Sequence, residues 1–452
     1  MNLYSLLQKR AAEGRPVRTG LIGAGKFGSM FLAQARTTPG LHVMAVADLD
    51  VARAKAALAA TGWDDAQTAA ASFARALEGG TTHVTEDAMA LIAADGLEVV
   101  IDATGSPAAG IAYARAACRA GKHMVMVNVE ADVLAGPLLA EQARAAGLVY
   151  TLAYGDQPAL ICEMVDWARA CGFPVVAAGK GTHYLPEFHA STPDTIWDHY
   201  GLTSEQAAAA GMNPQMFNSF LDGTKSAIEM TAVANATGLT PAPGGLAFPP
   251  VGAEALAEVL KPAAEGGSLH HKGQVEVISD LERDGRPVAR DLRWGVYVVF
   301  EAPGDYTARC FREYGMTTDS TGRYAALYRP YHLIGLELGI SVLSAALRGE
   351  ATGSPTGFRG DVAAVAKRDL AAGEVLDGEG GYMVWGRLLP AADSLARAVL
   401  PIGLAHGVTL TRPVPAGEML TWTDVALDEA DETLKVRREM EAAFGPSAAA
   451  AE

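Results

Sequence analysis

Positive charge is scarce in this sequence. Its 36 lysines and arginines stand against 52 aspartates and glutamates over 452 residues, a net charge of −16 with histidine neutral. A footprint for nucleic acid or an acidic membrane needs clustered Lys and Arg, so the balance argues against both partners. A local cationic pocket for a small anion remains compatible with it. Cysteine is scarce too. Cys118, Cys162, Cys171 and Cys310 show no C-x-x-C spacing, which excludes a zinc ribbon or a disulfide framework and reads as reduced thiols. Long apolar runs are missing: none approaches the ~18 residues of a membrane helix, and "MNLYSLLQKRAAEGRP" has no basic stretch followed by an apolar core. The expectation is a cytoplasmic protein. With 50% hydrophobic and 19% charged residues, the chain suits two or three domains with sizeable cores.

The first segment alternates short apolar strands with Ala-rich helices, the pattern of a parallel sheet with helical crossovers. In "VRTGLIGAGKFGSMFLAQA" a strand runs through Gly23, Ala24, Gly25, Lys26, Phe27 and Gly28 into a helix. The G-x-G-x-x-G spacing lets backbone approach a pyrophosphate held at the helix N-terminus. The next strand ends at Asp48, about 20 residues on, where an acidic side chain holds ribose hydroxyls. Strand ends at Thr104 and Gly105, at Asn128 and at Gly155 line the same crevice. A dinucleotide site follows. Asp48 favours NAD by repelling a 2′-phosphate, whereas Arg53 and Lys26 accommodate one.

After "AYGDQPAL" the alternation fails, and aromatics, histidines and turn residues increase, the texture of a substrate domain. Strands such as "WGVYVVFEA" predict a mixed or antiparallel sheet there, and a final apolar helix returns to the first domain. "RGEATGSPTGFRGD" reads as a linker. Beyond it, "AKRDLAAGEVL" and "LTRPVPAGEML" repeat an Arg, an apolar position and an A-G-E turn at equal offsets, two strand–turn–strand pieces of one small β-rich unit. The expected division is a Rossmann domain over 1–155, a catalytic and dimerisation domain over 156–352, and a β-rich domain over 360–440, an α/β chain overall.

Within "SFLDGTKSAIEM" a lysine opens a helix that ends at Gly238, although unpaired amides already make a helix N-terminus positive. Lys225 is therefore either a surface partner of Glu229 at i+4 or a lysine aimed into an active site. Asp222 is placed to orient its ammonium. Glu130 and Asp156 end strands on the carboxyl side of the sheet, where they act as base, as tentative Mg²⁺ or Mn²⁺ ligands, or as helix caps. Lys180 and His183 follow a strand and a glycine turn and face a ligand or a loop. Arg323, helped by Arg329 or His332, is a candidate phosphate clamp. No H-E-x-x-H, Walker or nucleophile-elbow pattern is present, so hydrolysis and phosphoryl transfer lack support.

The glycine triplet, the "AYGDQPAL" exit strand and the "DGTK" helix together resemble the homoserine dehydrogenase type of oxidoreductase over residues roughly 17 to 350. The A-G-E repeat resembles the SAF domain. The combination resembles the 1-deoxy-D-xylulose 5-phosphate reductoisomerase-like enzymes. That resemblance implies NADP(H), with NAD(H) possible, a divalent metal, a sugar phosphate substrate, a role for Lys225 in substrate binding or proton transfer, and a step of isoprenoid precursor synthesis. Val129 and Glu130 stand where homoserine dehydrogenases have a lysine, which argues against homoserine. The alternatives are a plain dehydrogenase of a sugar acid or hydroxy compound, and a non-catalytic nucleotide sensor. Closed two-fold assemblies being commonest, a homodimer through the middle domain is expected.

Overall fold

The computed structural model describes residues 2–209 and 212–445. The chain divides into two compact units, Met1–Cys162 with His332–Thr356, and Glu163–Tyr331 with Gly357–Glu452.

In the first unit, six parallel strands follow one another through helical crossovers: β1 (Val17–Ile22), β2 (Leu41–Ala47), β3 (His83–Thr85), β4 (Val99–Asp102), β5 (His123–Met126) and β6 (Tyr150–Leu152). Their order in the sheet is β3-β2-β1-β4-β5-β6. The order reverses between β1 and β4, the crevice where open α/β sheets bind ligands. These strands read as near-continuous apolar runs because helices cover both faces. The helix Gly339–Arg348 supplies Val342 and Leu343 to the core that holds Leu21, Phe31 and Val99. The Gly- and Thr-rich stretch after it is no free linker. The Gly353 carbonyl accepts the Leu152 N–H at 2.7 Å, and Thr352 shares hydrogen bonds with Thr151 and Ser341, so the stretch is stitched along the edge strand β6.

The second unit is built on a mixed sheet of β7 (Val175–Thr182), β8 (Gln274–Ser279), β9 (Val296–Glu301), β10 (Thr317–Thr318) and β11 (Tyr324–Arg329), in the order β10-β11-β9-β7-β8. β7 and β8 run parallel and the other pairs antiparallel. On one face Val176, Tyr297 and Val299 pack with Leu256, Leu260 and Leu269. Phe300 stacks on Phe173 at 5.2 Å and meets Trp167 and Phe311 edge-on. All of β8 and β9 is buried within the chain.

The helix Thr224–Thr237 is buried nearly all round because two layers share it. The sheet lies on one side. On the other is the antiparallel pair β12 (Gly360–Ala366) and β14 (Val384–Pro390), accompanied by β13 (Val375–Asp377), β15 (His406–Leu410) and β16 (Val425–Ala426). Asn235 Oδ1 accepts the N–H groups of Arg359 and Gly360 at 2.7 and 3.0 Å, and Thr224 Oγ1 accepts that of Gly386 at 2.8 Å. Shared burial makes one unit of the middle and C-terminal segments. The two A-G-E repeats pair with each other: Leu370 and Val414 exchange N–H···O bonds of 2.8 and 3.0 Å, and Gly373 and Gly417 turn at φ 88° and 82°. The final helix, Glu432–Phe444, is anchored by fully buried Arg437, whose guanidinium meets Asp361 at 2.6 Å. Among the described residues no helix is long and apolar enough to cross a membrane.

Candidate functional site

The glycine loop joins β1 to the helix Lys26–Ala35, and its three glycines have different physical reasons. Gly23 sits at φ 95°, and a Cβ there would lie 2.7 Å from the carbonyl oxygen of Ala103, just past β4. A Cβ on Gly28 would collide with the carbonyl of Gly23. At Gly25, which heads the helix, a Cβ would meet nothing within 4 Å. Two glycines are therefore required by packing, and the third leaves open space in front of a helix N-terminus, where a phosphate binds. The cradle fits a dinucleotide pyrophosphate.

Asp48 is more constrained than a ribose ligand needs to be. Its buried carboxylate accepts the Ala24 N–H at 2.8 Å and the Asp50 N–H at 2.9 Å, and it pairs with Arg53 at 2.6 Å. Burial works to raise its pKa, but the bonds from Asp50 and Ala24 and the Arg53 guanidinium outweigh burial and hold it below the usual value. Asp48 thus ties the glycine loop to β2, and Arg53 cancels its charge while leaving 59% of its own side chain exposed. Lys26 is exposed at the helix start, and Phe27 is half-buried against the core.

Across the crevice, Asn128 caps the helix Val129–Ala145. Its Oδ1 accepts the Ala131 N–H at 3.1 Å, and its Nδ2 donates to Asp102 Oδ2 at 3.0 Å and to the Ser106 carbonyl at 2.7 Å. Thr104 donates its N–H to Asp102 Oδ1 at 3.0 Å, and Gly105 turns left-handed at φ 69°. Asn128 therefore organises the β4 end that carries Thr104 and Gly105. Gly155 has another reason to be glycine: at φ 92°, a Cβ would sit 2.8 Å from the Leu333 carbonyl oxygen.

Glu130 lies in the first turn of the Val129 helix, and Asp156 accepts the Gln157 N–H at 2.8 Å, so both take helix-start positions. Among the described residues no three His, Cys, Asp or Glu side chains gather to hold a metal, and the metal expectation for Glu130 and Asp156 finds no donor set.

In the second unit the chemistry gathers where β7 and β8 end side by side. Thr182 pairs with Ser279, so the residues that follow, His183 and Asp280, are brought together. His183 Nδ1 lies 2.9 and 3.0 Å from the two Asp280 oxygens, and Arg293 approaches Asp280 at 3.6 Å. Two residues before the end of β7, Lys180 is buried and its ammonium forms an ion pair with buried Glu229 of the Thr224 helix. Glu229 was the expected surface partner of Lys225, and that reading fails because Glu229 faces the sheet. Lys225 lies one helical turn from Glu229 on the same face and is half-buried. Lys180 and His183 thus lie in and just after the carboxyl-terminal part of β7, and Lys225 stands one helical turn before the Glu229 that holds Lys180.

Asp222 does not serve Lys225 in the expected way. It is fully buried, its Oδ1 accepts the Thr224 N–H at 2.9 Å, and its Oδ2 lies 2.8 Å from the Lys367 ammonium of the C-terminal segment. That ammonium also donates to the carbonyls of Ser191 and Gly381, and its approach to Asp222 is an ion pair without hydrogen-bond geometry. Burial raises the Asp222 pKa, opposed by Lys367 and Thr224. His189 completes the packing, with Nδ1 2.7 Å from the Asp222 carbonyl and its ring stacked 3.8 Å from Trp385.

Arg323 is paired with Glu301 through Nε at 2.5 Å. Arg329 stacks on Tyr331 at 5.0 Å in the second unit, while His332 belongs to the first. Asp280 and Lys367 were missed by sequence reasoning. The first had a signal, an acid following the strand "VEVIS"; the second lies 145 residues from its partner and had none.

Residues 155–338 match the family model described as the catalytic domain of oxidoreductase DRL, and residues 361–426 match the SAF domain. No curated protein matches the chain. Among solved structures, a candidate myo-inositol dehydrogenase from Sinorhizobium meliloti 1021 is 13% identical over 74% of this chain and 90% of its own, with a TM-score of 0.36. The myo-inositol dehydrogenase from Lactobacillus casei, solved with NAD(H) and myo-inositol, is 17% identical over 41% of this chain and 52% of its own, with a TM-score of 0.27. Biliverdin reductase from Synechocystis sp. PCC 6803, solved with biliverdin and NADP⁺, is 18% identical over 43% and 55%, also with a TM-score of 0.27. The chain spans 62%, 49% and 52% of the first three structures matched. These findings correct the expected recognition, a reductoisomerase-like enzyme with a homoserine dehydrogenase-like body: the catalytic model matched is that of oxidoreductase DRL. The SAF part of the expectation is met.

Proposed function

We propose that this chain is an NADP(H)-dependent oxidoreductase that interconverts a hydroxyl and a carbonyl group on a sugar acid or another hydroxy compound, with the carbon skeleton unchanged. The observation that carries the reading is the pairing of His183 with Asp280 where β7 and β8 end, on the strand that also carries the buried Lys180–Glu229 ion pair. Alcohol oxidation removes a hydride from carbon and a proton from oxygen. A bound nicotinamide supplies the hydride acceptor. His183 takes the hydroxyl proton, Asp280 orients its ring and supports the imidazolium, and the two lysines stabilise negative charge developing on oxygen. Lys180, held by Glu229, cannot reorient without leaving a buried carboxylate unpaired.

NADP(H) is preferred because Arg53 presents an exposed guanidinium while its pairing neutralises Asp48, and Lys26 lies at the head of the same loop. NAD(H) is the second choice. No metal is assigned a role. A homodimer through the second unit belongs to the same proposal, with strand β11, where Leu327 is exposed, as its contact. A monomeric mass by light scattering at micromolar concentration contradicts that part.

The test is a panel of sugar acids and polyols with NADP⁺ or NAD⁺, followed at the absorbance of reduced nicotinamide. Turnover on one class, lost in His183→Gln, supports the reading. Absence of nicotinamide reduction across the panel, together with no oxidation of NADPH by the matching carbonyl compounds, refutes it.

A further inference from the structure

We infer that Arg293 is a positioning residue for the His183–Asp280 pair, holding the Asp280 carboxylate on His183 Nδ1 so that Nε2 is the nitrogen that takes the substrate proton. The inference rests on the oxidoreductase reading and adds to it the reacting atom of the base and the residue that governs it.

The tautomer follows from the partners. Among the described residues the His183 ring is hydrogen-bonded through Nδ1 alone, to the two Asp280 oxygens at 2.9 and 3.0 Å. An ionised carboxylate only accepts, so Nδ1 carries the proton of the neutral ring and Nε2 carries the lone pair. As the substrate O–H bond breaks, its proton forms the new bond at Nε2, and the hydride passes from carbon to the nicotinamide.

Local packing brings Arg293 to this pair. Gly181 lies in β7, two residues before His183. Its N–H donates to the Gly295 carbonyl at 3.1 Å, and a Cβ on it would sit 1.9 Å from the Leu292 carbonyl oxygen. Only glycine admits the segment 292–295 so close to the strand. Asp291 Oδ1 accepts the Arg293 N–H at 2.9 Å, and the guanidinium lies over two rings, Tyr200 at 5.7 Å and Trp294 at 4.9 Å. Its Nη1 stands 3.6 Å from Asp280 Oδ2, beyond hydrogen-bond distance. Arg293 thus offsets the Asp280 charge and leaves both oxygens to His183.

The groups that meet the His183 ring are few. Asp280 comes from the end of β8 and Arg293 from the segment before β9. Tyr200, 6.2 Å away between ring centroids, stays neutral because burial raises its pKa, and Phe188 at 5.5 Å carries no charge. Asp280 favours the imidazolium and Arg293 opposes it, so the balance between these two sets how readily the ring holds a proton.

The experiment uses the full chain with histidine labelled at both ring nitrogens, followed by NMR across pH without turnover; the His183 signals are those lost in His183→Gln. In wild type the neutral ring is expected to carry its proton on Nδ1. In Arg293→Met the pH midpoint at which the ring loses its charge is expected to rise by about one unit, because the opposing cation is gone, whereas Arg293→Lys, which keeps a charge, should stay close to wild type. The rise of alcohol oxidation with pH should move with the same midpoint. A proton on Nε2 of the neutral ring, a midpoint equal in wild type and Arg293→Met, or one as high in Arg293→Lys as in Arg293→Met overturns the inference. Ring titrations as expected in a protein that transfers no hydride would retain the role of Arg293 toward His183 and refute the catalytic reading instead.

Discussion

Asp132 offers the sharpest test of how the first unit is held together. It lies fully buried on the Val129 helix, one carboxylate oxygen accepting the Tyr150 hydroxyl at 2.9 Å and the other without a partner among the described residues. Burial raises its pKa from 3.8 to about 7, against the opposing Tyr150 bond. The folded acid therefore keeps its proton while the unfolded acid loses it above its ordinary value. Its favourable contribution is complete below about pH 4, fades as pH rises, and is gone above about pH 7. With these two values, ionisation costs about 1.7 kcal/mol at pH 5 and about 4 kcal/mol at pH 8, a difference of about 2.5 kcal/mol. Asp132→Asn mimics the protonated acid and removes the titration. The assay is amide exchange of the segment 129–145 in both proteins at matched pH, because protection there measures the free energy of opening that helix. The ratio of wild-type to variant exchange should rise by roughly 80-fold from pH 5 to pH 8. A ratio that stays constant means that Asp132 is solvated or paired in solution, and the reasoning fails.

Other outcomes follow from single contacts. Lys180→Met leaves Glu229 buried and unpaired and should destabilise the second unit by about 3–5 kcal/mol, whereas Lys180→Met with Glu229→Leu should recover most of that in urea unfolding. Gly25→Ala fills space that is open in the structure, so it should leave stability nearly unchanged and weaken nucleotide binding; Gly28→Ala should harm both, because its Cβ meets the Gly23 carbonyl. Arg53→Ala should weaken NADPH about 10-fold more than NADH in fluorescence titrations, and equal losses would remove Arg53 from the 2′-phosphate.

The nucleotide half of the protein is legible in sequence because its signals are local: a strand end, three glycines and an acid some 20 residues on are fixed by backbone geometry. The role of Asp48 is only half legible. Its position is right, but its bond to Ala24 depends on how the loop folds back, and Asp48→Ala is accordingly expected to weaken both nucleotides. The helix ending at Gly238 and the paired A-G-E turns were also readable from short-range pattern. Long-range charge pairing was not. Glu229 stands four residues from Lys225, yet it is claimed by Lys180, 49 residues away, because the helix turns that face to the sheet. Asp222 is likewise claimed by Lys367, so the aspartate of "DGTK" binds the SAF segment to the helix start. Nothing in the spacing of either residue announces its partner.

The central claim is that hydride moves between a nicotinamide and a hydroxyl or carbonyl carbon while Lys225 stabilises charge on the neighbouring oxygen. The direct measurement supplies NADPH deuterated at the transferring position together with the carbonyl form of the best substrate in the panel, and follows deuterium into product by mass spectrometry. The account predicts one deuterium on the carbinol carbon of an unrearranged product, and a rate about 10²-fold lower or less in Lys225→Met with NADPH affinity unchanged. Product without deuterium, or Lys225→Met with wild-type turnover, would contradict it.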